Sequence, residues 1–313
     1  MIEPLQWRGV RVLRISNEFL SAAVLPEQGG HIGSLTDAEG HEYLCQSPDS
    51  MFRASRTGDD FEKGECAGID DMFPNAMAWT LSEGAFAGIH LPDHGELWTL
   101  PGIPERKDDA VILTMNGNCL PYRLKKTISL RENCLRVEYD AENLGAQPFP
   151  VLWSAHPQFK AEDYKTVEIP GYEGKVRMLY CRGKEKNSGC AQYPVDQWDD
   201  GTAMDLRKIP GAEKHKAYKF MTTESLPEGK CILQGRDGRS DLEISFPKEM
   251  VPYLGIWMDA CSNPGCDRYV IAPEPSTHSD VSLQGCALRL EPGKNLPWWI
   301  EYKILKKGDQ NAR

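Results

Sequence analysis

Three short polar stretches of this 313-residue chain carry the residue types from which acid–base chemistry is built. They are GIDDMFPNA at 68–76 with LPDHGELW at 91–98, AHPQF at 155–159, and DRYVIAPEPSTHSD at 267–280. Each is punctuated by Gly or Pro, which predicts turns between strands, where a β scaffold carries its functional groups. The run VLWSAHPQF predicts a strand over 151–153 that ends on His156, because Pro157 lacks the N–H a ladder needs. Glu274 lies between Pro273 and Pro275, whose fixed φ angles hold the backbone and aim the carboxylate in one direction. An imidazole of pKa about 6.5 exists in both protonation states near neutrality, and an oriented carboxylate suits a base. The plainer reading makes His156 a packed strand-end histidine and Glu274 a solvated loop acid.

Other chemistries are poorly served. His90 and His94 are four apart, but Pro92 and Gly95 break the helix that would put both on one face for a metal. Cys261 and Cys266 form a C-x4-C with no second pair nearby. No HExxH, phosphate-binding loop, glycine-rich nucleotide fingerprint or G-x-S-x-G elbow occurs, so neither a metal nor an organic cofactor is expected.

The elements that must position these groups are strands. Period-2 patterns recur at VRVLRIS (10–16), AVILTM (110–115), LKKTISL (124–130), CLRVEYD (134–140), DLEISF (241–246) and 286–304. KKTISLRENCLRVEYD reads as a hairpin in which Ile128 and Leu130 face Leu135 and Val137 across Arg131-Glu132-Asn133. No dodecamer keeps an apolar helical stripe clear of Gly and Pro, and 28 Gly with 22 Pro supply the punctuation. The expected fold is therefore all-β, a largely antiparallel sandwich of many strands. Without an internal repeat, a low-complexity linker or a break in composition, residues 1–313 read as a single domain, with exposed loops at 183–190 and 210–216. The N-terminus has no signal-like pattern and eighteen apolar residues never run together, so a non-exported, cytoplasmic protein is expected. Ten scattered cysteines in a chain able to build a core read as reduced thiols. Acidic residues outnumber basic ones 46 to 36, which disfavours nucleic acid and anionic membrane surfaces as partners.

LPDHGELW, WSAHPQF and APEPSTHSD, in this order on such a chain, resemble the aldose 1-epimerase (galactose mutarotase) family. The likeness extends from LSAAVLPEQGGHIGSLTDAEGHEYL, similar to that family's first hairpin, to the closing PWWIEYKI. It implies a large twisted antiparallel β-sandwich and a metal-independent isomerase that interconverts the α and β anomers of a free aldose, as a monomer or homodimer. His156 would be the general acid and Glu274 the general base, with His94 binding the sugar. Asp70 and Asp71 stand 24 and 23 residues before His94, roughly where the family has an Asn-Arg pair, and would bind substrate. Trp98 is a candidate platform for a sugar face, or a core residue. The family's mid-chain sugar-binding Asp has no clear counterpart; its region, EKHKAYKF at 213–220, offers mostly Lys. Two rivals stand beside this reading: a glycoside hydrolase using Asp71 with Glu274, and a non-catalytic carbohydrate-binding protein.

Overall fold

The period-2 runs become strands because alternation lets one face of each strand meet the core while the other faces water. The computed structural model describes residues 1–183, 186, 189–263 and 268–306. Cys266 and part of the 183–190 loop lie outside the described residues. Among them there is no α-helix, only short 3-10 turns, and the sheets are antiparallel. The chain divides into two compact units, Met1–Pro157 with Asp280–Ile300, and Gln158–Ser279 with the segment from Glu301.

In the first unit, Ile2–Trp7, Val10–Ser16, Leu20–Leu25 and His31–Asp37 form a meander, and Gly68–Met72 pairs beside the last through Ile32 and Ile69. A second meander runs through Ile103–Lys107, Ala110–Asn116, Tyr122–Arg131 and Cys134–Asn143. The expected hairpin is present, with Ile128 opposite Val137 and Leu130 opposite Leu135. Its loop is tighter than expected, because Arg131 pairs with Cys134 and leaves Glu132 and Asn133 as the turn, Glu132 taking the left-handed φ of 50°. Leu124, Ile128, Leu135 and Ala141 are completely buried, and each fully buried Leu or Ile contributes about 1.5–3 kcal/mol.

The second unit orders Cys190–Gln192, Lys175–Arg182, Lys216–Thr222, Tyr253–Ala260 and Tyr269–Ser276 side by side. A separate ladder pairs Tyr164–Glu168, Lys230–Gly235 and Asp241–Ser245, the last continuing onto Glu301–Leu305.

Two local expectations are corrected. Val151–Trp153 is not a strand: the Val151 amide donates to Leu288 O (3.1 Å) and that of Leu152 to Pro74 O (2.7 Å), so both serve irregular segments. The strand is Ser154–Lys160, and His156 and Pro157 lie inside it rather than at its end. Likewise Gly68–Met72 and Tyr269–Ser276 are strands, not turns. Pro273 and Pro275, two apart, remove donors from a single edge only, and pairing with Tyr253–Ala260 runs unbroken from Tyr253–Ser276 to Ala260–Tyr269. These segments are buried on both faces, which erases the polar alternation that marks a strand in sequence.

Candidate active site

Successive residues of a strand point to opposite faces, and the Asp70-Asp71 pair is divided in this way. Asp70 Oδ1 lies 2.8 Å from His156 Nδ1. Burial alone would raise the Asp70 carboxyl, but the charge and hydrogen bond of His156, with smaller contributions from His31 and His94, outweigh it and hold it below the usual range. An ionised carboxylate only accepts, so Nδ1 of His156 carries the hydrogen of this bond.

Asp71 faces the other way and is not in this cluster. Its Oδ2 accepts from Lys126 Nζ (2.7 Å) and its Oδ1 from the Tyr139 hydroxyl (2.7 Å) and Trp153 Nε1 (3.1 Å), with both ionic side chains 1% exposed. Tyr139 and Trp153 pack against Trp298 around this pair. Lys126 also donates to the Gly29 and Gly30 carbonyls. The ion pair is an interior crosslink between the strand Gly68–Met72 and the strand Tyr122–Arg131.

His94 reaches the same cluster from a loop whose course is sewn to residues 73–77. Its own amide donates to Ala76 O (2.7 Å), and those of Glu96 and Leu97 donate to Phe73 O. Asn75 Nδ2 donates to the Pro92 and Met77 carbonyls. His94 and Gly95 are both left-handed, at φ 59° and 67°, and a Cβ on Gly95 would lie 2.3 Å from Phe73 O. Only glycine fits there. The buried Glu96 carboxylate then accepts from the amides of Asn118 and Cys119, anchoring the loop's far end, and burial raises its pKa despite those bonds. His94 Nδ1 lies 2.8 Å from Asp93 Oδ2, and this hydrogen bond lowers the Asp93 carboxyl against partial burial.

The His94 and His156 rings are 5.5 Å apart and edge-to-face. Phe61, in the short turn Phe61–Lys63, stacks flat on His94 at 3.8 Å and 4°, and it meets His156 and Trp98 in T-shaped contacts. Phe61 carries no motif and escaped sequence reasoning. Trp98 is buried and donates its indole N–H to Gly95 O, so it braces the His94 loop, and Phe61 is the aromatic against the imidazoles.

In the second unit Glu274 is 1% exposed, opposite Gly255, and its Oε2 is 2.5 Å from Lys219 Nζ. Lys219 lies in the AYKF stretch where the resembled family's missing Asp was sought. A charged residue within the largely buried strand Lys216–Thr222 was the signal that could have singled it out.

The sheets and these side chains define an antiparallel all-β protein bearing an aspartate-held histidine. Among solved structures the chain is similar to a protein from Synechocystis sp. PCC 6803 (18% identity, TM-score 0.70, 97% of this chain and 98% of that one). It is also similar to the galactose mutarotase related enzyme from Lactobacillus acidophilus (14%, 0.65, 95% and 98%) and a galactose mutarotase-like protein from Lactobacillus casei ATCC 334 (18%, 0.61, 94% and 99%). No family profile and no curated protein sequence matches it. The fold is that of the galactose mutarotase-like proteins.

Proposed function

We propose that this protein interconverts the α and β anomers of a free aldose by general acid/base ring opening. The observation that carries the reading is the buried Asp70–His156 pair beside His94, on a galactose mutarotase-like fold. His156 donates a proton from Nε2 to the ring oxygen, and Glu274 takes the proton of the anomeric hydroxyl. The C–O ring bond then breaks, rotation about C1–C2 presents either face of the aldehyde to the freed hydroxyl, and reclosure returns both protons. Asp70 orients and stabilises the charged imidazole instead of touching sugar, and His94, held by Asp93, hydrogen-bonds a hydroxyl. The expected sugar-binding role of Asp71 is withdrawn, since three donors already occupy its carboxylate. That same occupancy makes a hydrolase built on Asp71 and Glu274 the weaker alternative.

On this reading residues 1–313 act as one domain, in the cytoplasm, as a monomer or homodimer, without a metal or organic cofactor. The test is NMR exchange spectroscopy between anomer signals over a panel of free aldoses. Acceleration over buffer is expected for at least one sugar, and none across the panel would remove the reading.

A further inference from the structure

On the sheet of the second unit, Tyr180, Lys219, Trp257 and Ala272 are cross-strand partners in one row and so share a face. The next row on that face is Met221, Gly255 and Glu274. The opposite face of the same strands, with Tyr218, Phe220, Ile256, Met258 and Ile271, is core. The first row is buried only at Ala272: Tyr180 is 42% exposed, Trp257 is half-buried and the Lys219 side chain is 19% exposed. The Tyr180 and Trp257 rings nevertheless meet, at 5.5 Å and 54°, across the strand that carries Lys219. A Cβ placed on the buried Gly255 would lie 3.4 Å from both Glu274 Oε2 and Met221 Cε, in ordinary contact, so the glycine keeps this row low between the aromatic pair and Glu274.

We propose that Tyr180 and Trp257 form a second sugar subsite, which stacks the adjoining pyranose ring of a neutral oligosaccharide whose reducing end is presented to Glu274. The aromatic pair offers a wet apolar surface that suits the C–H face of a pyranose. Lys219 and Glu274 cancel each other's charge, which favours a neutral ligand, while the ammonium has two donors beyond the one given to Glu274 for ring hydroxyls. Trp257 stands two residues along its strand from Gly255, about 7 Å, a span that suits the next ring of a linked pair. The inference rests on the proposed epimerase reading only in placing the reducing ring at Glu274.

The experiment titrates the full chain with glucose and galactose, and with maltose, cellobiose and lactose. It follows the Trp257 indole N–H in 1H–15N spectra, with anomer-exchange kcat/KM measured in parallel. The Trp257 signal is expected to shift with at least one disaccharide, which binds about tenfold more tightly than its monosaccharide, the gain of one stacked ring. The disaccharide-to-monosaccharide ratio of kcat/KM should fall toward one in Trp257→Ala and in the more exposed Tyr180→Ala, and recover in Trp257→Phe. A Trp257 signal silent to every sugar, or a ratio unmoved in both alanine variants, overturns the subsite. If the signal shifts but no sugar shows accelerated exchange, the epimerase reading fails and the subsite stands.

Discussion

At the residue scale, the proposed function rests on a histidine held by Asp70 and on a carboxylate beside an ammonium. His156→Ala and Glu274→Gln are each expected to slow anomer exchange by about two to four orders of magnitude, the usual cost of losing one positioned proton carrier. NMR exchange at equal enzyme concentration reads this, and an undiminished rate in His156→Ala would leave the histidine a packing residue. Asp70→Asn should lower kcat while largely sparing KM, since the residue acts through His156. Asp71 belongs to a different account. Asp71→Ala leaves the Lys126 ammonium buried and unpaired, at an expected cost of about 3–5 kcal/mol in urea denaturation. A double variant, Asp71→Ala with Lys126→Met, should recover part of that loss; equal stability of the wild type and Asp71→Ala would refute the crosslink.

At the element scale, the loop 91–98 is held by backbone bonds to residues 73–77 and by two consecutive left-handed residues, one of them the non-glycine His94. A Gly95→Ala methyl meets Phe73 O at 2.3 Å in a conformation that L residues rarely adopt. The loop must therefore shift, carrying His94 off Phe61. The substitution is expected to cost about 1–3 kcal/mol and to weaken sugar binding, read together by thermal denaturation and a sugar titration. Gly40→Ala is the control for φ strain alone, because Gly40 has φ 82° and open space around its Cβ position. If the two variants behave alike, the contact with Phe73 is not what shapes the loop.

At the scale of the whole molecule, pH decides how much of the buried polar network contributes. Burial lowers the pKa of His31 despite the neighbouring carboxylates of Asp70 and Glu65. The folded state therefore keeps His31 neutral while the unfolded chain protonates it below about 6.5, so stability falls as pH drops beneath that value. Asp70 and Asp93 have lowered carboxyl values in the fold. Their contribution is complete above about pH 4 and is lost as pH falls through the folded values. The expected urea midpoint thus declines in two stages, a shallow one from about pH 6.5 and a steeper one below about pH 4. His31→Leu should flatten the first stage; an unchanged slope between pH 7 and 5 in that variant would sink the assignment.

The strands at 10–16, 110–116 and 241–245, the hairpin pairs Ile128–Val137 and Leu130–Leu135, and the three polar clusters are legible in the sequence, because half-buried strands must alternate and special backbone needs Gly or Pro. Alternation also carried a sign of Lys126, a cation in register with Leu124 and Ile128 on the inward face. Strands buried on both faces lack that alternation, so Gly68–Met72, Ser154–Lys160 and Tyr269–Ser276 read as turns or strand ends. What each functional residue touches belonged to the tertiary structure alone. Adjacent aspartates look equivalent in a string, yet the pleat sends Asp70 to His156 and Asp71 to Lys126. Phe61 and Lys219 meet His94 and Glu274 across 33 and 55 residues of sequence (94 − 61 and 274 − 219). Contacts so distant depend on chain closure and strand register, which no local spacing encodes.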